Sequence, residues 1–234
     1  MKTAFIFATL VALGFLGFST WQALYVAPTD ALQGDVQRVF YYHVPCAWVA
    51  GLCFFFNFCA SVWFLFRRNH LAVDAFALAS AEVGVVFCTI VLITGPLWAR
   101  PVWGIWWTWD PRLTSTFVLW LIYVSYLILR KFATGGQGAV LGAALAIFGF
   151  VDVPIVYVSI RIFRTQHPQP VFAGGENSGL EIHMLHAFLW NLLAFTILGL
   201  VIVWARYIVQ RVDQAVDEAH KASALREHAA GGQA

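Results

Sequence analysis

Charged residues are scarce in this sequence. Lys, Arg, Asp and Glu make up 11% of its 234 residues, whereas a soluble domain has about 25%. Hydrophobic residues make up 61%, and the mean hydropathy is +0.75. This composition excludes a water-soluble protein and predicts an all-α, polytopic membrane protein with short loops.

Cysteine pairs with metal-binding spacing are also missing. The chain has four cysteines, and it contains neither a C-x-x-C nor a C-x-x-C-H motif. Their absence excludes a zinc framework and covalent c-type haem attachment. We expect all four to pack as small apolar side chains, because each lies in an apolar run; they are Cys46, Cys53, Cys59 and Cys88. No nucleophile or acid–base pair is evident either, so we predict that the protein is not an enzyme.

Six apolar runs are present, each near the roughly 20 residues that a bilayer core requires. In lipid each must form a helix, because unpaired backbone groups are too costly there. We interpret the first run as an uncleaved anchor rather than a signal peptide. The runs lie at about 4–26, 43–66, 75–98, 114–130, 139–160 and 183–206.

No second domain or internal repeat is apparent. We predict one six-helix transmembrane domain over residues 1–209, followed by a polar tail over residues 210–234. The start of the tail favours a short amphipathic helix on the cytoplasmic side.

The basic residues predict the orientation. Nine lie in one set of loops, including all three lysines, and five arginines lie in the other set. The positive-inside rule places the first set and both termini in the cytoplasm and the second set on the extracytoplasmic side. The first set is Lys2, Arg67, Arg68, Arg130, Lys131, Arg206, Arg211, Lys221 and Arg226. The second set is Arg38, Arg100, Arg112, Arg161 and Arg164.

Three loops on the outer, periplasmic face contain the unusual residues. They span about 27–42, the segment "RPVWGIWWTWDPRLTS" that starts at Arg100, and about 161–182. Consecutive loops alternate between the two sides of a membrane, so a six-helix chain puts these three on one side. His43, the tryptophan-rich segment and His167 are therefore predicted to share one surface.

Imidazoles, a broad aromatic surface and arginines are the combination that haem binding uses. Haem iron accepts axial histidine nitrogens, and indole faces can stack on the flat porphyrin. The propionates are carboxylates, which arginine pairs bidentately. We therefore predict a haem b site, non-covalent and transient, with His43 and His167 as candidate iron ligands. The other candidates are Trp103, Trp106, Trp107, Trp109, Asp110, Arg38, Arg100 and Arg112.

Simpler explanations exist for several of these features. A tryptophan-rich loop at a membrane edge is commonly an aromatic belt. Asp110 precedes Pro111 and is well placed to cap the next helix. His183 and His186 share one helix face and form an alternative ligand pair near the outer interface.

Two carboxylates fall inside apolar runs, where they are expensive and often functional. Glu82 lies about one turn from the cytoplasmic end of its run, so its side chain can reach water. Asp152 precedes Pro154, and there we expect a neutral, hydrogen-bonded carboxyl at a proline kink.

The tryptophan-rich segment resembles the W-G-x-x-W-x-W-D signature of the haem-handling membrane proteins of cytochrome c maturation. Within that group the chain is most similar to the CcmC family of the bacterial system I pathway. The segments "RVFYYHVP", "LITGPLWARPVWGIWWTWDPRLTS" and "PIVYVSIRIFRTQHPQP" carry the resemblance. It implies that His43 and His167 are the haem ligands. It also implies transfer of haem to the chaperone CcmE, in company with the ABC-transporter proteins CcmA and CcmB and the small protein CcmD.

Other functions remain alternatives at this point. A one-component cytochrome c synthase of the CcsA type is expected to have more helices and a large outer domain. A b-type cytochrome usually holds its ligand histidines within helices, across a bundle. A solute permease would use Glu82 and Asp152 but leaves the tryptophan loop unexplained.

Overall fold

Six helical segments are long and apolar enough to cross a membrane, as predicted. The protein was analysed as a computed structural model that describes residues 2–67, 70–133, 137–163, 165–167 and 179–231. Within these ranges no β-strand occurs. The six segments are Lys2–Val26, Asp35–Phe66, Leu71–Trp103, Pro111–Phe132, Gln137–Ile162 and Ile182–Glu227.

Seven α-helices make up most of these segments. In chain order they are α1 (Lys2–Trp21), α2 (Phe40–Phe66), α3 (Leu71–Trp103), α4 (Pro111–Phe132), α5 (Gln137–Phe150), α6 (Asp152–Ile162) and α7 (Ile182–Gly231). A π-helical turn, Gln22–Val26, extends α1, and a 3-10 turn, Asp35–Val39, leads into α2.

The fifth spanning segment, which the sequence predicted over 139–160 with a proline kink, is interrupted by a turn. The chain forms α5 up to Phe150, turns at Val151 and resumes as α6 at Asp152. Pro154 explains the break, because it lacks an N–H and its ring clashes with the carbonyl four residues earlier. The expected hydrogen bonding of Asp152 is incomplete: its Oδ2 is buried and has no hydrogen-bond partner in the described part of the chain.

The last helix is longer than expected. α7 continues without interruption from Ile182 to Gly231, so the predicted tail is an extension of the last spanning helix rather than a separate short one. Residues 232–234, at the end of that tail, lie outside the described residues. The same holds for Arg68 and Arg164 of the orientation count, and for 168–178 of the third outer loop.

α2 and α3 form the central pair of the bundle, and α7 packs against both of them and against α1. α4 contacts α3, α5 and α6. Close approach of α2 and α3 depends on Gly84, where an added Cβ would lie 2.6 Å from Cε1 of Phe54. Phe54 in turn stacks on Tyr123 of α4, with ring centroids 3.8 Å apart.

The cysteines divide into two groups. Cys46, Cys53 and Cys88 are buried in this central core, as the sequence predicted. Cys59 is exposed on the outside of α2, so the expectation of packing is wrong for this residue.

Ion pairs join the helices at the end of the bundle opposite to the tryptophan-rich segment. Glu82 on α3 accepts hydrogen bonds from Arg206 on α7 at 2.8 and 2.9 Å. Glu82 is therefore ion-paired, and with 26% of its side chain exposed it also reaches solvent as expected. Asp74 at the start of α3 is bound bidentately by Arg130 of α4. Both pairs lie at the same end of the bundle, away from the tryptophan-rich segment.

Candidate functional site

A separate aromatic cluster closes the outer end of the bundle. It joins the end of the first spanning segment, the start of α2, the end of α3 and the start of α7. Phe40 is central to it, with its ring 4.9 Å from that of Phe188 and 6.2 Å from that of Trp98. This packing fixes the first turn of α2, where the first candidate ligand lies.

His43 is buried in that first turn, with 6% of its surface exposed. Its Nδ1 lies 2.8 Å from the Thr94 hydroxyl of α3. Trp98, one turn further along α3, packs edge-on to the imidazole, with centroids 5.8 Å apart. Between these two contacts Gly95 leaves the ring edge uncovered: an added Cβ would lie 3.4 Å from Cε1 of His43. The imidazole is therefore held on two sides by one face of α3.

His167 lies beyond the end of α6. Its backbone N–H donates to the Thr165 hydroxyl at 3.2 Å, and its ring lies 6.3 Å from that of Trp103, centroid to centroid. Its Nδ1 is buried without a hydrogen-bond partner among the described residues. Burial lowers the pKa of His167 to about 3, and the charges of Arg112 and His43 act in the same direction. The ring is consequently neutral, which is the form that binds iron.

Arg112, in the first turn of α4, lies close enough to both histidines for its charge to act on each of them. His43 also lies near enough to His167 to lower the pKa of that imidazole. The fold thus brings together three residues from separate segments, as the sequence predicted for one outer surface. Nη1 of Arg112 is buried and has no hydrogen-bond partner in the described part of the chain.

Asp110 holds Arg112 at this position by capping α4. Its Oδ1 accepts hydrogen bonds from the backbone N–H groups of Arg112 and Leu113 at 2.8 and 3.0 Å. Pro111 occupies the first helical position, which suits its missing N–H. The predicted cap is therefore confirmed. At the other end of the loop Gly104 ends α3 with φ 76°, a conformation that favours glycine.

The four tryptophans do not form one flat surface. Trp103 faces His167, whereas Trp107 and Trp109 pack against each other at an interplanar angle of 79°. Both also contact Phe117 of α4. Trp106 and Trp109 are 55% and 72% exposed. Of the four, Trp103 is therefore the indole placed against a candidate ligand, whereas Trp106 and Trp109 are exposed.

The other two candidate arginines have different environments. Arg38 is engaged in its own loop: it pairs with Asp35 at 3.0 Å and donates to the carbonyls of Ala23 and Ala27 at 2.6 and 3.2 Å. Arg100 is exposed, and its guanidinium lies 6.0 Å from the Trp106 ring centroid. It also donates to the Gly104 carbonyl. Arg38 thus anchors the first loop, whereas Arg100 lies at the start of the tryptophan-rich segment.

The alternative ligand pair is on the surface. His183 and His186 are both exposed at the start of α7. The helix there is capped by Glu181, whose carboxylate accepts from the backbone N–H groups of His183 and Met184. Neither imidazole is part of the group formed by His43, His167 and Arg112.

Residues around His43 were not assigned from sequence. Thr94, Gly95 and Trp98 all contact it from α3, and Trp98 also donates to Gln33 Oε1 at 2.9 Å. One sequence feature could have pointed to these residues: the dipeptide Thr94-Gly95 before Pro96 is unusual inside an otherwise apolar run.

Comparison with known proteins decides the family. The family model of CcmC, described as heme exporter protein C, matches residues 1–222. The chain belongs to the CcmC family. Membership of this family implies a role in haem handling for cytochrome c biogenesis. The family belongs to a haem export system that has other Ccm subunits. The description of the family, as an exporter protein, indicates a transport protein rather than an enzyme.

CcmC relatives match along most of the chain. Heme exporter protein C of Haemophilus influenzae is 34% identical over 212 residues, which is 88% of this chain and 83% of the relative. The protein of the same name from Bradyrhizobium diazoefficiens is 36% identical over 175 residues, 74% and 66% of the two chains. A ccmC-like mitochondrial protein of cytochrome c biosynthesis from Marchantia polymorpha is 34% identical over 179 residues, 75% of each.

The buried polar atoms of this CcmC site fit a haem. Nδ1 of His167 and Nη1 of Arg112 are buried and have no hydrogen-bond partner among the described residues. Buried polar atoms are nearly always paired, so each calls for a ligand atom. A metalloporphyrin provides a metal for the neutral imidazole and carboxylates for the guanidinium.

Proposed function

We propose that this protein binds haem b non-covalently and transiently at the outer end of its bundle and presents it for transfer to the chaperone CcmE. The observation that carries the proposal is the meeting of His43 and His167 around Arg112. These residues come from three different segments, and aromatic-belt anchoring requires no such meeting. A buried imidazole and a half-buried, neutral one beside a cation match an iron centre with anionic side groups.

In this proposal His43 and His167 are the axial ligands of the haem iron. Trp103 lies against the porphyrin edge on the His167 side, and Trp106, Trp107 and Trp109 extend an aromatic surface toward solvent. Arg112 pairs with one propionate, and Arg100 is placed for the second. Arg38 and Asp110 act indirectly, since Arg38 secures the first loop and Asp110 orients the start of α4.

The proposed setting is a bacterial inner membrane, with both termini in the cytoplasm and the tryptophan-rich loop in the periplasm. This orientation follows the basic residues, which favour the end of the bundle that carries Arg130 and Arg206. CcmA, CcmB and CcmD are the proposed assembly partners. Haem handling requires no bond-making chemistry from this chain, so completion of covalent attachment is assigned to the receiving chaperone.

The test is an absorption spectrum of the protein purified in mild detergent. A low-spin, bis-histidine haem spectrum is expected from the wild type. His43→Ala and His167→Ala should each abolish or greatly weaken haem retention, while His183→Ala and His186→Ala serve as matched surface controls. Unaltered spectra and haem content in the first two variants would disprove the ligand assignment, and loss confined to the two controls would transfer the site to α7.

Redox behaviour separates the proposal from a b-type cytochrome. A haem carrier should show no rapid, reversible reduction when quinol is added. Fast reduction coupled to quinol oxidation would instead favour electron transfer as the function.

A further inference from the structure

Thr94 contacts two polar groups at once. Its hydroxyl oxygen lies 2.7 Å from the Ile90 carbonyl of the preceding helical turn and 2.8 Å from Nδ1 of His43. A hydroxyl has one proton to donate, and a carbonyl oxygen can only accept. The 2.7 Å oxygen–oxygen contact therefore requires the Thr94 proton to lie toward Ile90. The hydroxyl is then left to accept, so Nδ1 of His43 must carry the hydrogen.

Two other threonines show the same arrangement without ambiguity. Thr89 donates to the Val85 carbonyl at 2.7 Å and accepts from the indole N–H of Trp120 at 2.8 Å. Thr196 donates to the Leu192 carbonyl at 2.6 Å and accepts from the indole of Trp48 at 3.1 Å. An indole nitrogen can only donate. Thr89 and Thr196 thus bond back to their own helices and each accept a ring N–H from a neighbouring helix.

We propose that Thr94 is a positioning residue that fixes His43 in the Nδ1–H tautomer and so presents Nε2 as the iron-binding atom. The inference rests on the proposed haem function, and it adds which atom binds and what sets it. A hydrogen bond from the far nitrogen orients a ligand imidazole and raises its basicity. Thr94 would provide that support from α3, while the ligand itself belongs to α2.

The surroundings of His43 reinforce this orientation. Trp98 meets the imidazole at an interplanar angle of 67°, which restricts rotation of the ring. Gly95 keeps the Cε1 edge free of a side chain, so that the helix can approach the ring. Moreover, α2 and α3 are the most closely associated helices of the bundle. His167 differs, because its Nδ1 has no hydrogen-bond partner within the described residues.

The first experiment needs no haem. Nitrogen NMR of the full-length protein, labelled with ¹⁵N-histidine in detergent micelles, reports the tautomer of each imidazole, and His43→Ala identifies the relevant signals. We expect a protonated Nδ1 and an unprotonated Nε2 for His43 in the wild type and in Thr94→Ser. In Thr94→Val, which is nearly isosteric but cannot accept, this preference should be lost. A wild-type His43 that carries its hydrogen on Nε2 would overturn the proposal.

The second experiment measures haem affinity by titration of the Soret band. Loss of such a supporting hydrogen bond typically weakens metal binding by about 10- to 100-fold. We expect a loss of this size in Thr94→Val, with recovery in Thr94→Ser. Thr89→Val is the matched control, since it removes an equivalent bond from the same helix without touching His43.

The outcomes separate the two proposals. Equal haem affinity in Thr94→Val, Thr89→Val and the wild type would refute the role of Thr94 while leaving haem binding intact. A wild type that binds no haem would refute the proposed function, whereas the NMR result would still decide whether Thr94 sets the tautomer. Equal losses of haem affinity in Thr94→Val and Thr89→Val would show that both substitutions merely destabilise the protein. That result would also refute the positioning role of Thr94.

Discussion

The carboxylate of Glu82 on α3 is bound by the guanidinium of Arg206 on α7 through two hydrogen bonds, at 2.8 and 2.9 Å. Gln210 adds a third at 3.1 Å. The contact ties the last spanning helix to the central pair at the end opposite to the tryptophan-rich segment. It gives Glu82 a structural role and removes the main reason to place it on a solute path.

Disrupting the two interhelical ion pairs should destabilise the protein to different extents. The Asp74–Arg130 pair has side chains only 10% and 11% exposed, whereas those of Glu82 and Arg206 are 26% and 39% exposed. Asp74→Asn leaves the buried Arg130 without its counter-charge and should lower the free energy of unfolding by about 3–5 kcal/mol. Glu82→Gln leaves a cation that can reach water and should cost about 1 kcal/mol.

Thermal unfolding in detergent, monitored by circular dichroism, measures which of the two substitutions destabilises the protein more. Arg211→Gln is the control, because Arg211 is exposed and bonds only within its own helix, to Gln214. Its unfolding midpoint should match that of the wild type. A larger loss for Glu82→Gln than for Asp74→Asn would contradict the reasoning from burial.

Substitution of Gly84 should separate α2 from α3. A Cβ there would lie 2.6 Å from Phe54, and that ring cannot retreat because Tyr123 stacks on its other face. Gly84→Ala should therefore destabilise the protein by about 1–3 kcal/mol, as overpacking generally does. Gly51→Ala is the control, since Gly51 has open space around it. It should leave stability unchanged or raise it by up to about 1 kcal/mol, through helix propensity. Similar effects at both positions would refute the packing argument.

Hydrophobicity was sufficient to predict the six spans, because the bilayer leaves few alternatives to helices of about 20 residues. Their ends were less predictable. α3 includes Pro96 and Pro101 and ends only at Trp103, where Gly104 adopts a left-handed conformation. Proline position alone did not distinguish these tolerated residues from Pro154, which breaks the fifth span.

From the sequence it was possible to predict which loops form the site, but not all of the side-chain contacts within it. Chain parity puts His43 and His167 on one side, and the capping role of Asp110 follows from its place before Pro111. The Thr94–His43 hydrogen bond was not predictable, since it joins residues 51 positions apart and depends on the rotation of α2 relative to α3. The pairing of Glu82 likewise depends on how α7 packs, which apolar composition does not determine.

The role of Asp110 can be tested by comparing two substitutions. Asp110→Ala removes the acceptor for the Arg112 and Leu113 N–H groups and should cost about 0.5–2 kcal/mol. Asp110→Asn retains a capping oxygen and should match the wild type both in unfolding midpoint and in haem content. Normal stability with lost haem in Asp110→Asn would show that the charge of the carboxylate, rather than its capping, matters at the site.

Burial of His167 predicts an acid-sensitive stability. Its pKa of about 3 in the folded protein lies below the ordinary value of 6.5. Between these values the unfolded chain binds a proton that the folded protein excludes, so the free energy of unfolding falls as the pH decreases. The contribution of His167 is fully present above about pH 6.5 and is lost progressively toward about pH 3.

His167→Gln should therefore flatten the dependence of the unfolding midpoint on pH, because glutamine does not titrate. The measurement is thermal unfolding of the haem-free protein in detergent between about pH 7 and about pH 4, the range in which an ordinary histidine becomes charged. His186→Gln, at an exposed position on α7, should retain the wild-type slope. If both variants follow the wild-type curve, the His167 ring is open to water, and the buried, neutral imidazole required by the ligand assignment does not exist.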